Sequence, residues 1–259
     1  MRRRFFVEEF EAGSATLRGE AAHHLGRVLR AETGQLYELS DGQCVWLART
    51  ENVGRDEVEF SLVEQLTAPV AAVRIELLLA IVKFDRFEWA LEKATELGAE
   101  EIAPLSADRS EKGLIAAAEK RAERWKRILA ESAQQARRLR IPKLRGAAIP
   151  GDAFRATAAS LKVLLSERAA AKPFREILEP LVAQHSGDNT ARVVIAIGPE
   201  GGWTEAEFAT AGTCGFVEAG LGSNILRTET AVCASLAAVQ YAFGASRPIN
   251  AQESIARER

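Results

Sequence analysis

The sequence predicts an α/β protein in which a small β-barrel precedes a parallel sheet covered by helices. Three observations carry this. The first 68 residues hold short strand-like runs separated by Gly, Asp and Asn turns. The chain then breaks at Thr67-Ala68-Pro69. From Arg74 onward, apolar runs of strand length alternate with segments of helical period, which is the pattern of a parallel α/β sheet.

In the first unit, residues 1–68, the strand candidates are 3–6, 35–39, 44–49 and 57–66. Gly34, Asp41-Gly42 and residues 52–54 supply the turns. Residues 21–29 read as a short helix, and the spacing suits a small barrel. In the second unit, residues 73–248, the run 74–82 is almost wholly apolar, as in a strand buried on both faces. Apolar residues at 87, 90, 91, 94 and 97 then repeat with a helical period. Asp85 is placed as N-cap, Glu88 as its capping-box partner and Gly98 as the stop. A strand at 102–105, a helix at 116–139 ending before Pro142 and a strand at 161–165 follow. A helix at 174–184 perturbed by Pro180, a strand at 193–197, a helix at 205–211, a short strand at 216–218 and a helix at 229–243 complete the alternation. Residues 249–259 read as a polar tail.

Several function classes drop out. No apolar run is long enough to span a bilayer, and none follows Arg2-Arg3-Arg4 as a secretory signal would. Cys44, Cys214 and Cys233 are odd in number and form no CxxC pair. The expected compartment is therefore the reducing cytoplasm, and their expected role is as small core residues. His23, His24 and His185 make no metal set, so no metal is expected. There is no P-loop, HExxH or GxSxG pattern. Gly220-Leu221-Gly222 lacks the third glycine of a dinucleotide fingerprint, because Ile225 stands there. The net charge of −2 does not mark a nucleic-acid binder, but residues 111–145 carry eleven Lys/Arg against four Asp/Glu. That surplus confines phosphate contact to one region, with a solvated helix face as the alternative.

Two loops in the last quarter carry the chemistry. Ile197, Gly198, Pro199, Glu200, Gly201 and Gly202 directly follow a predicted strand. Glycines there let a ligand approach the backbone, and the carboxyl end of a parallel strand is a common ligand position; a plain tight turn is the alternative. The second loop runs from Leu221 through Gly222, Ile225, Leu226 and Arg227 into the final helix, which should start near Thr228. Unpaired N–H groups at such a helix start can hold an electron-rich group.

Read in order, these segments resemble the RsmE family, the 16S ribosomal RNA (uracil(1498)-N3)-methyltransferases. The resemblance runs through Arg4-Phe5-Phe6, His24-Leu25, Val28-Leu29-Arg30 and Lys83, then Asp85-Arg86-Phe87-Glu88-Trp89. It continues through Glu92-Lys93-Ala94-Thr95-Glu96-Leu97-Gly98, Pro104-Leu105, Arg109-Ser110, Arg124-Trp125, Gln135 and Arg138, and closes with the two loops. Phe84 stands where the family more usually has glycine, and Ala136 where a small polar residue is common.

The resemblance implies a PUA-like barrel and a SPOUT domain with a deep trefoil knot. It also implies a homodimer, S-adenosylmethionine as cofactor, and 16S ribosomal RNA or the small ribosomal subunit as partner. In such proteins the two loops and a third at residues 165–167 wrap the cofactor. The expected cofactor-binding set is then Leu165, Ile197, Gly198, Pro199, Glu200, Gly201, Gly202, Leu221, Gly222, Ile225, Leu226 and Thr230.

Methylating N3 of uracil requires loss of its proton, and the developing charge spreads onto O2 and O4, where a cation would stabilise it. Arg227 is the candidate cation, and Glu229 or Glu200 the candidate proton acceptor; pairing at the helix start or bracing of the loop is the other reading of both glutamates. RNA contact is assigned to Arg2, Arg3, Arg4, Arg27 and Arg30, and to the long helix through Arg124 and Arg138. Trp89 and Trp125 fit stacking platforms less well than core positions at helical spacing. The rival readings are a SPOUT methyltransferase with another RNA target and a non-catalytic RNA-binding assembly factor.

Overall fold

The computed structural model describes residues 3–68, 71–185 and 190–244, so the predicted tail 249–259 and Arg2 lie outside the described residues. The chain begins with β1 (Arg4–Phe6), β2 (Ser14–Arg18) and α1 (Gly19–His23), which continues as a π-helical turn over His24–Val28. It goes on through β3 (Leu36–Ser40), β4 (Val45–Val53) and β5 (Glu57–Leu66). These strands form one sheet in the order β1-β3-β4-β5-β2, antiparallel except for the β1–β3 pair.

The predicted barrel is a curled sheet. β1 and β2 stand at its two edges, yet Phe5 of β1 and Leu17 of β2 share one apolar cluster with Leu25, Leu39 and Phe60. The predicted Asp41-Gly42 turn is built by the Asp41 carboxylate, whose Oδ1 accepts from the backbone N–H groups of Gln43 and Cys44, both at 2.8 Å. β2 was not foreseen: its inward residues are only Ala15 and Leu17, and Gly13 and Gly19 flank it like turn residues.

The second sheet is wholly parallel. Its elements are β6 (Val73–Ala80), α2 (Phe84–Glu96), β7 (Ala99–Leu105), α3 (Lys112–Gln135), β8 (Lys143–Leu144), α4 (Pro150–Ala156) and β9 (Leu161–Leu165). They continue with β10 (Lys172–Pro173), α5 (Phe174–Gln184), β11 (Ala191–Ile197), α6 (Glu205–Thr213), β12 (Val217–Gly220) and α7 (Thr228–Ala242). The strand order is β10-β12-β9-β11-β6-β7-β8.

Both faces of the central strands are covered, and strand alternation sorts their side chains. Ile75, Leu77, Leu79, Val193, Ile195 and Ile197 meet α2, α3, α5 and α7 through Phe87, Trp125, Leu178 and Leu236. Leu78, Ala80, Val194 and Ala196 meet Phe154 of α4 and Ala211 of α6. Burying one such side chain contributes roughly 1.5–3 kcal/mol, so the sheet is the stable platform from which the loops at its carboxyl edge project.

Sequence expectations change most at α2 and α3. α2 begins one residue earlier than Asp85, with Lys83 as N-cap and no side-chain cap. Phe84 is its first residue because its ring packs edge-on against Trp125 with the Arg121 guanidinium above it. Glu88, expected as a capping partner, instead pairs with Arg121 and Arg124 of α3.

α3 ends at Gln135 rather than at 139, because Arg137 turns into a left-handed conformation (φ 53°) and its side chain reaches Glu38 of β3. Arg4 shares that carboxylate at 2.9 Å, and the Ser40 hydroxyl donates to the Leu139 carbonyl at 2.7 Å, so the segment after α3 joins the two sheets.

Candidate active site

Parallel strands deliver their carboxyl ends to one edge, and there a cleft of about 300 Å³ opens. Three loops line it: Ser166, Glu167 and Arg168 after β9; Gly198 to Trp203 after β11; and Leu221 to Leu226 after β12. The floor is the buried indole of Trp203, whose Nε1 donates to the Leu165 carbonyl at 3.1 Å. A Cβ on Gly198 would lie 3.0 Å from that indole, so only glycine lets the backbone pass so close. Gly202 closes the turn with φ 68°, and its N–H bonds the Pro199 carbonyl at 2.8 Å.

The loops are braced from outside. The Thr228 hydroxyl, in the first turn of α7, donates to the Gly198 carbonyl at 3.1 Å. Arg109 donates to the Gly201 carbonyl at 2.8 Å. Thr204 caps α6 in a full capping box with Glu207, and Glu207 also accepts from the Asp108 N–H at 3.0 Å. That bond ties the loop after β7 to the first turn of α6, which follows the loop after β11.

Of the twelve residues expected to bind a cofactor, all but Thr230 line the cleft. Thr230 is exposed; two residues beyond Thr228 on a helix it turns to a different side, and Ala231, one residue further, takes the place at the cleft. Arg227 is the exposed N-cap of α7, between the lining residues Leu226 and Thr228, with no ion pair among the described residues. Glu229 is mostly buried and pairs with Arg86 at 3.9 Å, leaving its Oε2 buried without a hydrogen-bond partner. Glu200 pairs with the same Arg86.

The residues expected to bind RNA divide. Arg3, Arg27 and Arg30 are exposed, and Arg124 is exposed while paired to Glu88 at 2.8 Å. Arg4 and Arg138 are corrections. Arg4 is buried on Glu38. Arg138 donates to the carbonyls of Thr95 and Ala99 where α2 gives way to β7. Burial pushes both guanidiniums down to about 10; Arg4 is closed off from a phosphate, and the part-buried Arg138 has both terminal nitrogens committed to backbone carbonyls. Trp125 is buried core, whereas Trp89 is 44% exposed.

Sequence reasoning missed Arg109, Arg168, Trp203, Phe208 and Asn224 at the cleft, and Arg86 beside it. Trp203 carried a signal, a large apolar residue directly after paired glycines; Arg86 and Arg109 lay in the quoted motifs without a role.

An open parallel sheet whose carboxyl-edge loops close on a glycine-walled cleft defines a ligand-binding α/β domain, and the family model that matches it, over residues 69–240, is the RNA methyltransferase domain. Two relatives are both called ribosomal RNA small subunit methyltransferase E. The Bacillus subtilis protein is 30% identical over 92% of this chain and 96% of its own length. The Synechocystis protein is 30% identical over 90% of this chain and 74% of its own. The crystal structure of the Neisseria gonorrhoeae ribosomal RNA small subunit methyltransferase E bound to S-adenosyl methionine is 29% identical. It superposes with a TM-score of 0.80, covering 93% of this chain and 98% of that one. The chain belongs to the ribosomal RNA small subunit methyltransferase E family.

Proposed function

We propose that this protein methylates N3 of a uridine in 16S ribosomal RNA, uracil 1498 by the family's name, with S-adenosylmethionine as methyl donor. The observation that carries it is the single cleft formed where β9, β11 and β12 end, walled by backbone at Gly198, Gly201 and Gly202 and by Leu165, Ile197, Leu221 and Leu226. The residues fit such a cofactor: apolar walls suit its ring and methylene parts, and close backbone suits its polar edges. When bound, the cofactor supplies an activated methyl group on a sulfonium.

The chain's own residues prepare the acceptor. Arg227, exposed and unpaired among the described residues at the cleft edge, stabilises negative charge on the uracil oxygens as N3 loses its proton. Glu200, which lines the cleft, or Glu229, which lies beside it with one buried oxygen unpartnered, accepts that proton directly or through water; both pair with Arg86. The target base must leave its stack to reach the cleft. Arg3, Arg27 and Arg30 on the first unit (residues 1–68) and Arg124 on α3 of the second (residues 73–248) hold the RNA backbone.

The family resemblance supports a PUA-like first unit, a SPOUT domain with a deep trefoil knot, and a cytoplasmic homodimer.

Mass mapping of modified nucleosides in 16S ribosomal RNA tests the function. A strain lacking the gene is expected to lose N3-methyluridine, and restoring the gene to return it. Full modification in the deletion strain would overturn the assignment.

A further inference from the structure

Arg86 joins three elements of the cleft. It lies in the first turn of α2, pairs with Glu200 in the loop after β11, and pairs with Glu229 in the first turn of α7 at 3.9 Å. A cation in the first turn of a helix opposes the helix macrodipole, so α2 alone gives no reason for arginine there. The two carboxylates supply the reason. The Arg86 side chain is 27% exposed and that of Glu229 15%, so this pair is shielded from solvent more than a surface pair, while Glu200, at 48%, meets the same guanidinium from the open side.

We propose that Arg86 is a positioning residue for the cofactor cleft: its guanidinium ties the glycine-rich loop to the start of α7 and holds both in the conformation that receives the ligand. For the ligand this rests on the S-adenosylmethionine reading above. A planar fork serves two carboxylates arriving from different elements, which a single ammonium does less well. Without the tie, the loop of Gly198, Gly201 and Gly202 keeps the Arg109, Thr228 and Pro199 bonds but loses its only ion pair among the described residues. Ordering the loop is then charged against ligand binding.

The test uses Arg86→Met, Arg86→Lys, Glu200→Gln and the double variant R86M/E200Q in the full-length protein. In the ligand-free protein, hydrogen–deuterium exchange at the Gly202 amide is expected to quicken about tenfold in R86M and less in R86K. By calorimetry, the dissociation constant for S-adenosylmethionine is expected to rise about tenfold in R86M and in E200Q, with the double variant no weaker than the singles. A KM for S-adenosylmethionine that rises about tenfold in R86M and recovers in part in R86K marks positioning, and turnover at saturating cofactor is read separately because Arg86 also pairs with Glu229.

Loop exchange unchanged in R86M, or losses that add in the double variant, overturns the proposal. Should R86M fail to fold, E200Q carries the test, because it leaves the Arg86–Glu229 pair in place; wild-type loop exchange in E200Q then overturns it. A wild-type protein that binds no S-adenosylmethionine, while R86M still loosens the loop, overturns the cofactor reading and leaves the tie standing.

Discussion

The hydroxyl of Thr228 donates to the carbonyl of Gly198 at 3.1 Å, joining the first turn of the last helix to the first residue of the loop after β11. Thr228 is buried, whereas Gly198 is part-buried and lines the cleft, so water can reach its carbonyl once the hydroxyl is gone. Thr228→Ala is expected to cost about 1 kcal/mol, the net worth of one hydrogen bond, and to weaken cofactor binding. Urea unfolding and calorimetry measure the two effects; a Thr228→Ser variant should recover most of both.

Gly198→Ala places a methyl group 3.0 Å from the Trp203 indole. Overpacking of this type costs about 1–3 kcal/mol, and here the strain falls on the floor of the cleft. A lowered melting temperature together with weakened cofactor affinity is the expected outcome. Gly212→Ala, where a Cβ would meet nothing within 4 Å, serves as the control.

Arg227→Ala is expected to lower turnover by about 10²-fold or more while leaving cofactor affinity largely intact, since its charge acts on the acceptor and not on the donor. Calorimetry and a methylation assay on 16S ribosomal RNA separate these. Failure to bind cofactor would move Arg227 into the binding set.

Glu38 carries two arginines, Arg4 and Arg137, in the junction between the sheets. Removing the shared carboxylate leaves buried positive charge uncompensated, so Glu38→Gln should destabilise the protein by about 3–5 kcal/mol in urea unfolding. Arg138→Met should also cost stability, because the carbonyls of Thr95 and Ala99 lose their donor.

Arg27→Ala and Arg30→Ala are expected to reduce the slope of log affinity against log salt by about 0.7–0.9 for each phosphate left without its cation. Filter binding on ribosomal RNA at several salt concentrations reads this. A slope equal to wild type in the double variant would remove these residues from the RNA surface.

Much of the fold was legible because local and tertiary preferences agree. α5 runs over Phe174–Gln184 and β9 over Leu161–Leu165, the spans predicted, since apolar period and flanking turn residues point the same way. The cleft was legible because its walls are continuous loop segments with glycines at fixed places. What sequence could not show was action across elements. Nothing near Arg137 announces that a distant glutamate will end α3 there, and nothing in α2 announces that Arg86 faces two other elements. Arg4 and Arg138 illustrate the same limit: a guanidinium in sequence looks alike whether it meets a phosphate, a buried carboxylate as Arg4 does, or backbone carbonyls as Arg138 does.

The placement of Trp203, shut in beneath Gly198 and bonded to Leu165, also makes the cleft self-reporting. Its indole emission responds to the polarity and contact of whatever settles above it, so occupancy is open to an unlabelled optical titration, with Trp203→Phe separating its light from that of Trp46, Trp89 and Trp125.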